Sequence, residues 1–309
     1  MRVFLTGATG FVGAHLLRNL LERGVPTAAL VRPGSRTARI ADLRGRFTEI
    51  PGDLDHADAL ARPLNDCAPD TVLHLAWEGV GNKLRNDPLQ LEHNLPRSLR
   101  LLQIAAAAGV EHWIGLGSQG EYGPCDVPIA EDRPPRPTTL YGVAKLATCQ
   151  GTEILCRELG LRFAWLRLFS VYGPMDDPDW LIPFIILELL HGRSPPLTDG
   201  WQKWDYLYVE DVAEAIATVA ADPRAEGVFN LGSGEPRSVR SIAQAIGRLV
   251  DPALELRFGA IPLRPDQIMH LEADVRRLRE TGWRPRVPFP SGIDKTVQWF
   301  REHEDELDT

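Results

Sequence analysis

The chain has 309 residues, of which 44% are hydrophobic, and a formal net charge of −8. This length and composition predict one large α/β domain or two domains. The negative charge argues against nucleic acid or an anionic membrane surface as the main partner, although local arginines can still bind a phosphate group.

The N-terminal sequence runs directly into an apolar strand and a turn, so we expect no signal peptide. The longest apolar run, residues 180–190, contains Pro183 and falls short of the about 20 residues needed to span a bilayer. The four cysteines form no CxxC pair and have no zinc-ligand spacing. We therefore expect a cytoplasmic protein with reduced thiols, no membrane partner and no metal.

A glycine-rich turn joins the first predicted strand to a helix that carries leucines on one face. Gly7 allows a tight turn, Gly10 lets the backbone approach a pyrophosphate, and Gly13 lets the helix lie close to the strand. The helix N-terminus offers unpaired N–H groups to phosphates. The pattern predicts NAD(P) binding, with an ordinary glycine-rich turn as the alternative. The predicted cofactor contacts in this turn are Gly7, Thr9, Gly10, Phe11, Val12 and Gly13.

The second predicted strand, residues 26–31, ends at Arg32. In a dinucleotide-binding fold an acidic residue at this place binds the ribose 2′-hydroxyl of NAD. Here Arg32, with Arg36 close behind, suits the 2′-phosphate of NADP. NADP(H) is therefore favoured and NAD(H) stays possible. The alternative is that Arg32 stacks on adenine or points to solvent.

The third and fourth predicted strands, residues 47–50 and 71–76, add further cofactor contacts. Asp53 is expected to accept a hydrogen bond from the adenine amine, or else to cap a helix. Leu54, Leu75 and Ala76 are predicted cofactor contacts.

His74 lies inside the apolar fourth strand, and we interpret it as a hydrogen-bonded core histidine. Trp77 and Glu78 follow at the carboxyl end of this strand, where such sheets bind ligands, and are predicted substrate contacts.

A helix over residues 89–108 carries Asn94, which could link it to the preceding loop. A fifth strand delivers Ser118 to its carboxyl end, and a sixth is predicted over residues 163–169. The alternation of strands and helices predicts a Rossmann-type doubly wound parallel sheet.

The strand–helix alternation breaks beyond residue 172, and two further strands are predicted there, over residues 204–209 and 227–230. We predict a dinucleotide-binding domain over residues 1–172, with a contribution from about 204–230. Residues 173–309 are predicted to form a smaller, mixed substrate-binding domain.

Tyr141 and Lys145 are four residues apart, so a helix over residues 138–158 places both on one face. A neighbouring ammonium lowers the pKa of a phenol and makes it a usable proton donor and acceptor. A surface pair is the alternative for this spacing alone. Ser118 and the glycine-rich turn favour a catalytic Ser118, Tyr141 and Lys145.

Together these residues resemble the extended short-chain dehydrogenase/reductase family of nucleotide-sugar epimerases, dehydratases and 4-keto reductases. The resemblance covers nearly the whole chain. Beyond the glycines and the Ser118–Tyr141–Lys145 set, its marks include residues 166–174, 208–212 and 230–234. It implies that Tyr141 is the acid/base at a sugar oxygen, that Lys145 holds the nicotinamide ribose, and that Ser118 hydrogen-bonds the same oxygen.

Departures from the family pattern narrow the function. Dehydratases carry an Asp-Glu pair after the catalytic Ser or Thr, whereas this chain has Gln119 and Gly120, and Glu121 beyond them is expected to cap nearby N–H groups. Arg32 argues against an epimerase that retains NAD. We therefore predict an NADPH-dependent reductase of a nucleotide-linked 4-keto-6-deoxy sugar. One alternative is an NAD-dependent nucleotide-sugar epimerase. The other is a non-catalytic cofactor sensor, which the intact Ser118–Tyr141–Lys145 set argues against.

The predicted nucleotide-sugar contacts also depart from the family. Ser170 stands where many members have Asn, and Trp204 precedes Asp205 where many have Arg. Arg264 resembles the family's diphosphate-binding arginine, and Gln119 joins the predicted substrate contacts.

The family also implies a homodimer through a four-helix bundle of helices 89–108 and 138–158. The nucleotide, the sugar and the product stereochemistry stay open.

Overall fold

The computed structural model describes residues 1–264 and 267–304. Its strands are β1 (Val3–Thr6), β2 (Thr27–Val31), β3 (Thr48–Pro51), β4 (Thr71–His74), β5 (His112–Ser118), β6 (Arg162–Leu168), β7 (Ser170–Tyr172), β8 (Lys203–Trp204), β9 (Tyr206–Tyr208), β10 (Gly227–Leu231), β11 (Arg237–Ser238) and β12 (His270–Leu271). Its α-helices are α1 (Phe11–Glu22), α2 (Ala61–Cys67), α3 (Leu95–Ala107), α4 (Leu140–Leu159), α5 (Leu181–Leu190), α6 (Val209–Ala221), α7 (Val239–Val250), α8 (Arg276–Glu280) and α9 (Phe289–Glu302).

Within these described residues, seven strands form one sheet in the order β10-β6-β5-β4-β1-β2-β3. Every neighbouring pair is parallel. The chain moves outward from β1 in one direction through β2 and β3, and in the other through β4, β5 and β6. The carboxyl ends of β1 and β4 therefore form the switch point where open α/β sheets bind ligands. The predicted doubly wound parallel sheet is confirmed.

Helices cover both faces of the sheet and bury its apolar side chains. On one face, Leu16 of α1 and Ile216 of α6 belong to the same buried cluster. On the other face, Leu101 of α3 and Cys149 of α4 belong to a second cluster. This double covering explains why β1, β2 and β4 are buried along their whole length and carry uninterrupted apolar runs.

The C-terminal region has its own core and two small sheets. Helices α5, α7 and α9 pack around Tyr172 and Tyr208. The strand predicted over residues 204–209 is divided into β8 and β9, and both lie outside the large sheet. Asp205 separates them because its buried carboxylate accepts backbone N–H bonds from Ser233, Gly234 and Ala273.

Strand β10 joins the large sheet beside β6, and the contribution of residues 204–230 to the dinucleotide-binding domain stays a prediction. The division of the chain into two domains at residue 172 stays a prediction. Among the described residues no helix combines the length and apolar character needed to cross a membrane.

His74 is a satisfied core residue, as predicted. It is 3% exposed; its Nδ1 lies 2.8 Å from Thr6 Oγ1 and its Nε2 lies 2.9 Å from Ser98 Oγ. Burial, together with the charge of Lys145, lowers the pKa of His74 to about 3. The side chain is therefore neutral near neutral pH.

The helix predicted over residues 89–108 begins differently from the prediction. A π-helical turn, Gln90–Asn94, precedes α3. Gln90 and Asn94 are both buried. Asn94 donates to Glu78 O and accepts from Glu78 N–H, so its predicted link between helix and loop is confirmed.

Candidate active site

The glycine-rich turn leaves no room for side chains where a dinucleotide would bind. Gly7 has a φ of +77°, and a Cβ there would lie 2.7 Å from Ala76 N. A Cβ on Gly13 would lie 1.9 Å from Gly7 O, so helix and turn pack as the sequence predicts. Helix α1 starts after Gly10 without a side-chain cap, which leaves its first N–H groups for an anion. These features fit the pyrophosphate of NAD(P).

The predicted adenosine contacts lie around the ends of β2 and β3. Arg32 and Arg36 are exposed in the turn that follows β2. Asp53 caps the following 3₁₀ helix, since its Oδ1 accepts the Asp55 N–H at 3.0 Å. The capping alternative is thus present, and an adenine contact stays a prediction. Leu54 opens that helix.

Leu75 and Ala76 lie directly against Gly7 in the turn. Thr9, Phe11 and Val12 complete the turn and the start of α1.

Ser118 and Tyr141 lie on either side of Gly120. Ser118 ends β5, and its Oγ accepts the Gly120 N–H at 3.1 Å. A Cβ on Gly120 would lie 3.4 Å from Ser118 Oγ and 3.6 Å from Tyr141 Cδ1. Tyr141 is in the first turn of α4, where Thr139 Oγ1 caps the helix by accepting the Gly142 N–H. The structure thus brings the two predicted groups together.

Lys145 lies one helical turn after Tyr141 on the same buried face. Its Nζ is 6.0 Å from the Tyr141 ring centroid and 3.7 Å from that of Trp77. It also donates to Leu116 O at 2.6 Å. Burial lowers the pKa of Lys145.

The pKa of Tyr141 is raised, chiefly by burial. A hydrogen bond from Ser118 and the charge of Arg85 act in the opposite direction, while Glu121 adds to the rise. The net direction is opposite to the one expected from the Tyr–Lys spacing, because desolvation of a buried phenolate outweighs the nearby stabilising groups.

Ser118 rests on a buried polar network that we call the Ser118 support: Glu121, Tyr122, Trp165, Arg167 and Asn230. Glu121 Oε1 accepts the Ser118 N–H and the Trp165 indole N–H, both at 2.9 Å. Glu121 Oε2 accepts from Arg167 Nε at 2.7 Å. The expected capping role of Glu121 is confirmed by this capping box.

The support continues away from Ser118. The Arg167 guanidinium lies 4.4 Å from the Tyr122 ring centroid, and the Tyr122 hydroxyl donates to Asn230 Oδ1 at 2.7 Å. The role of Arg167 was not predicted from the sequence. The available signal was a charged residue near the carboxyl end of the apolar strand β6.

Trp77 lies at the site, whereas the carboxylate of Glu78 points elsewhere. The Trp77 ring meets Tyr141 edge to face at 6.1 Å, and its Nε1 donates to Gln90 Oε1 at 2.8 Å. Glu78 Oε2 accepts from Arg97 Nη1 on α3 at 2.6 Å. The Glu78 carboxylate, which was predicted to contact substrate, is therefore paired with Arg97.

The other predicted substrate contacts are spread over three segments. Gln119 follows Ser118, and its Oε1 is buried without a partner in the described part of the chain. Ser170 opens β7 and donates its N–H to Asp205 O at 3.1 Å. Arg264 is exposed, and its neighbours Pro265 and Asp266 lie outside the described residues.

Arg85 is a residue that the sequence analysis did not single out. Its guanidinium carbon lies 5.7 Å from the Tyr141 ring centroid, and its backbone oxygen accepts the Tyr141 N–H at 2.8 Å. No motif marks this loop position, so only the three-dimensional arrangement identifies it.

The doubly wound sheet, the glycine-rich turn and the Ser118–Tyr141–Lys145 arrangement define an NAD(P)-dependent enzyme of the extended short-chain dehydrogenase/reductase class. The chain belongs to the NAD dependent epimerase/dehydratase family, whose profile matches residues 3–232. The resemblance found in the sequence is thereby confirmed.

Curated and solved relatives cover almost the whole chain. It is 30% identical to a UDP-glucose 4-epimerase of Mycolicibacterium smegmatis, over 97% of this chain and 99% of that protein. It is 27% identical to the dTDP-glucose 4,6-dehydratase 1 of Escherichia coli, over 97% and 92% respectively. The structure of Thermus thermophilus UDP-glucose 4-epimerase in complex with NAD aligns with a TM-score of 0.87 at 29% identity, covering 97% of this chain and 99% of that one.

Proposed function

We propose that the protein is an NAD-dependent 4-epimerase of a nucleotide sugar. NADPH-dependent 4-keto reduction was the first prediction from the sequence, and epimerisation was its alternative. The full-length similarity to UDP-glucose 4-epimerases favours that alternative. The observation that supports the chemistry is the juxtaposition of Ser118 Oγ and the Tyr141 ring across Gly120.

In this proposal the chain's own residues handle the proton and the sugar oxygen. The Tyr141 phenolate removes the proton of the sugar C4 hydroxyl and later returns it. Ser118 hydrogen-bonds the same oxygen, and the Ser118 support fixes the backbone from which it acts. Lys145 favours the phenolate and contacts the nicotinamide ribose. Bound NAD supplies a hydride acceptor and donor at the sugar carbon.

Dehydration is not part of the proposal. Gln119 and Gly120 occupy the positions of the Asp-Glu pair that removes water in family dehydratases. Neither an amide nor a hydrogen side chain can act as a general acid or base.

A second candidate is the NADPH-dependent 4-keto reductase, which Arg32 and Arg36 favour. Both are exposed directly after β2, where a guanidinium can bind a 2′-phosphate bidentately. The two candidates differ in whether external NADPH is consumed.

The deciding experiment uses the purified protein with UDP-glucose and no added reductant. Formation of the C4 epimer, with NAD released on denaturation of the enzyme, supports the epimerase. An empty cofactor site, tighter fluorescence titration by NADPH than by NADH, and no epimer from UDP-glucose move the reductase to first place.

We further propose that residues 173–309 bind the nucleotide portion, with Arg264 as a contact from this region and Ser170, just before it, as another. Arg264→Gln is expected to weaken UDP binding about tenfold, through the loss of one charge-assisted contact. Arg248→Gln, a change at an exposed cation of α7, is the matched control. Equal UDP affinity of the Arg264 variant and the parent protein would remove Arg264 from the site.

We also propose a homodimer through the outer faces of α3 and α4. Val143 is 37% exposed and Ile154 is 52% exposed on α4, and both are apolar. A dimeric mass in solution at micromolar concentration, reduced to a monomeric mass by Ile154→Asp, would support this assembly. A monomeric parent protein would refute it.

A further inference from the structure

We propose that Arg85 is a positioning residue of the active site, which fixes the start of α4 through its backbone and holds a second cation over the Tyr141 ring. The proposal rests on the proposed role of Tyr141 as proton donor and acceptor. It gives a function to the loop of residues 77–88, which joins β4 to the π-helical turn.

The backbone of the 77–88 loop binds the first turn of α4. The first N–H groups of a helix have no partner within the helix. Arg85 O accepts the Tyr141 N–H at 2.8 Å, and Asn86 Oδ1 accepts the Leu140 N–H at 3.1 Å. The 77–88 loop therefore caps α4 at the residue that carries the phenol.

The loop is itself held firmly. Gln90 Nε2 donates to Gly79 O at 2.7 Å and to Leu84 O at 3.0 Å, and Gln90 is completely buried. The cap that Arg85 provides is thus anchored by a second, buried set of hydrogen bonds.

The Arg85 side chain places a positive charge near the Tyr141 ring. The Arg85 guanidinium carbon is 5.7 Å from the Tyr141 ring centroid, slightly closer than Lys145 Nζ at 6.0 Å. Arg85 Nε is buried and has no hydrogen-bond partner among the described residues. Lys145, by contrast, donates to Leu116 O and lies over Trp77.

Three charged groups lie near the phenol, on three different elements. Arg85 from the loop lowers the pKa of Tyr141, and the carboxylate of Glu121 beneath Ser118 raises it. Lys145 from α4 itself is the third, and its own pKa is lowered by burial. Since arginine keeps its charge at every accessible pH, Arg85 supplies a positive charge that does not titrate away.

The test measures ionisation of Tyr141 directly, without substrate. Arg85→Gln, Arg85→Lys and Lys83→Gln are each paired with the same variant carrying Tyr141→Phe. The difference in phenolate absorbance within each pair gives the Tyr141 titration. Lys83 is the matched control because it is an exposed cation in the same loop.

For Arg85→Gln we expect the Tyr141 midpoint to rise by at least about half a pH unit, as for a unit charge about 6 Å away even with the screening of bulk water. Arg85→Lys and Lys83→Gln should keep the parent midpoint. An unchanged midpoint in Arg85→Gln, or an equal rise in Lys83→Gln, overturns the proposal.

Measurements of turnover distinguish the role of Arg85 from the proposed role of Tyr141 as the base. The acidic limb of the pH dependence of kcat/KM, which reports the free enzyme, should move upward in Arg85→Gln by the same amount as the titration. A shifted titration with an unshifted kcat/KM profile leaves the charge effect of Arg85 standing and removes Tyr141 as the base. An unshifted titration removes the role of Arg85 whatever the turnover shows.

Discussion

The two sides of the active site differ in how their polar groups are paired. Behind Ser118, Glu121 and Arg167 are almost wholly buried, and the Glu121 carboxylate accepts hydrogen bonds from Arg167 Nε and from the Trp165 indole N–H. In front, around Tyr141, Arg85 Nε and Gln119 Oε1 are buried without partners in the described part of the chain. A fully paired network fixes geometry, whereas the unpaired atoms around Tyr141 keep hydrogen-bonding capacity that a ligand or water can use. We call the paired side, behind Ser118, the holding side, and the side around Tyr141, where we propose that substrate binds, the receiving side.

The largest expected effect comes from the receiving side. Tyr141→Phe keeps the ring against Trp77 but removes the proposed proton donor and acceptor. The proposed epimerase activity should fall by about 10²–10⁴-fold, while cofactor binding stays close to that of the parent protein. Turnover assays and cofactor fluorescence measure the two properties separately. Persistent turnover would remove Tyr141 from the mechanism.

On the holding side, Arg167→Met leaves the Glu121 carboxylate buried and unpaired. We expect the free energy of unfolding to fall by about 3–5 kcal/mol in urea titrations. Arg100→Met is the control, because Arg100 pairs with Asp58 at the exposed surface and should cost at most about 1 kcal/mol. Equal losses in the two variants would contradict the importance of burial in the Ser118 support.

The buried, neutral imidazole of His74 gives a prediction for the pH dependence of stability. His74 has a pKa of about 3 in the folded protein, whereas an unfolded histidine titrates near ~6.5. Because the unfolded chain binds the proton first, stability is lost as the pH falls below about 6.5. Between pH 6 and pH 5, the free energy of unfolding of His74→Asn should fall by about 1 kcal/mol less than that of the parent protein. Equal pH slopes would contradict this assignment.

The smallest expected effect comes from Trp77, which contacts both Tyr141 and Lys145. Trp77→Phe keeps an aromatic ring near Lys145 but removes the indole N–H that binds Gln90. We expect a loss of about 1 kcal/mol in stability and a turnover change of less than about tenfold. Trp201→Phe, at a 65% exposed position, should leave both unchanged. Identical behaviour of the two variants would remove Trp77 from the site's architecture.

Most of the fold could be predicted from local sequence patterns. Apolar runs and the spacing of Gly7, Gly10 and Gly13 were sufficient for the large sheet and its first turn, because each depends on residues close in sequence. The division of one predicted strand at Asp205 was not predictable, since it depends on N–H groups from residues 233, 234 and 273.

The same distinction applies to the site. Tyr141 and Lys145 are one helical turn apart, so their spacing alone indicated a shared face. Arg85 and Arg167 reach the site from positions more than 20 residues away from Tyr141 in sequence. Nothing in their immediate sequence indicates which ring or carboxylate they meet. The direction of the Tyr141 pKa was also missed, because burial cannot be judged from a residue pair.

The π-helical turn Gln90–Asn94 has a consequence for how this enzyme can diverge. A π turn accommodates one residue more than an α turn, so deleting a single residue there would restore the regular helix. Because the wide turn absorbs the extra residue, the helix keeps its direction on either side of it. The two buried amides that hold the loop bearing Trp77 and Arg85, Gln90 and Asn94, both lie in this turn. A one-codon deletion between them would change their spacing, and with it the attachment of this loop, while leaving the sheet untouched.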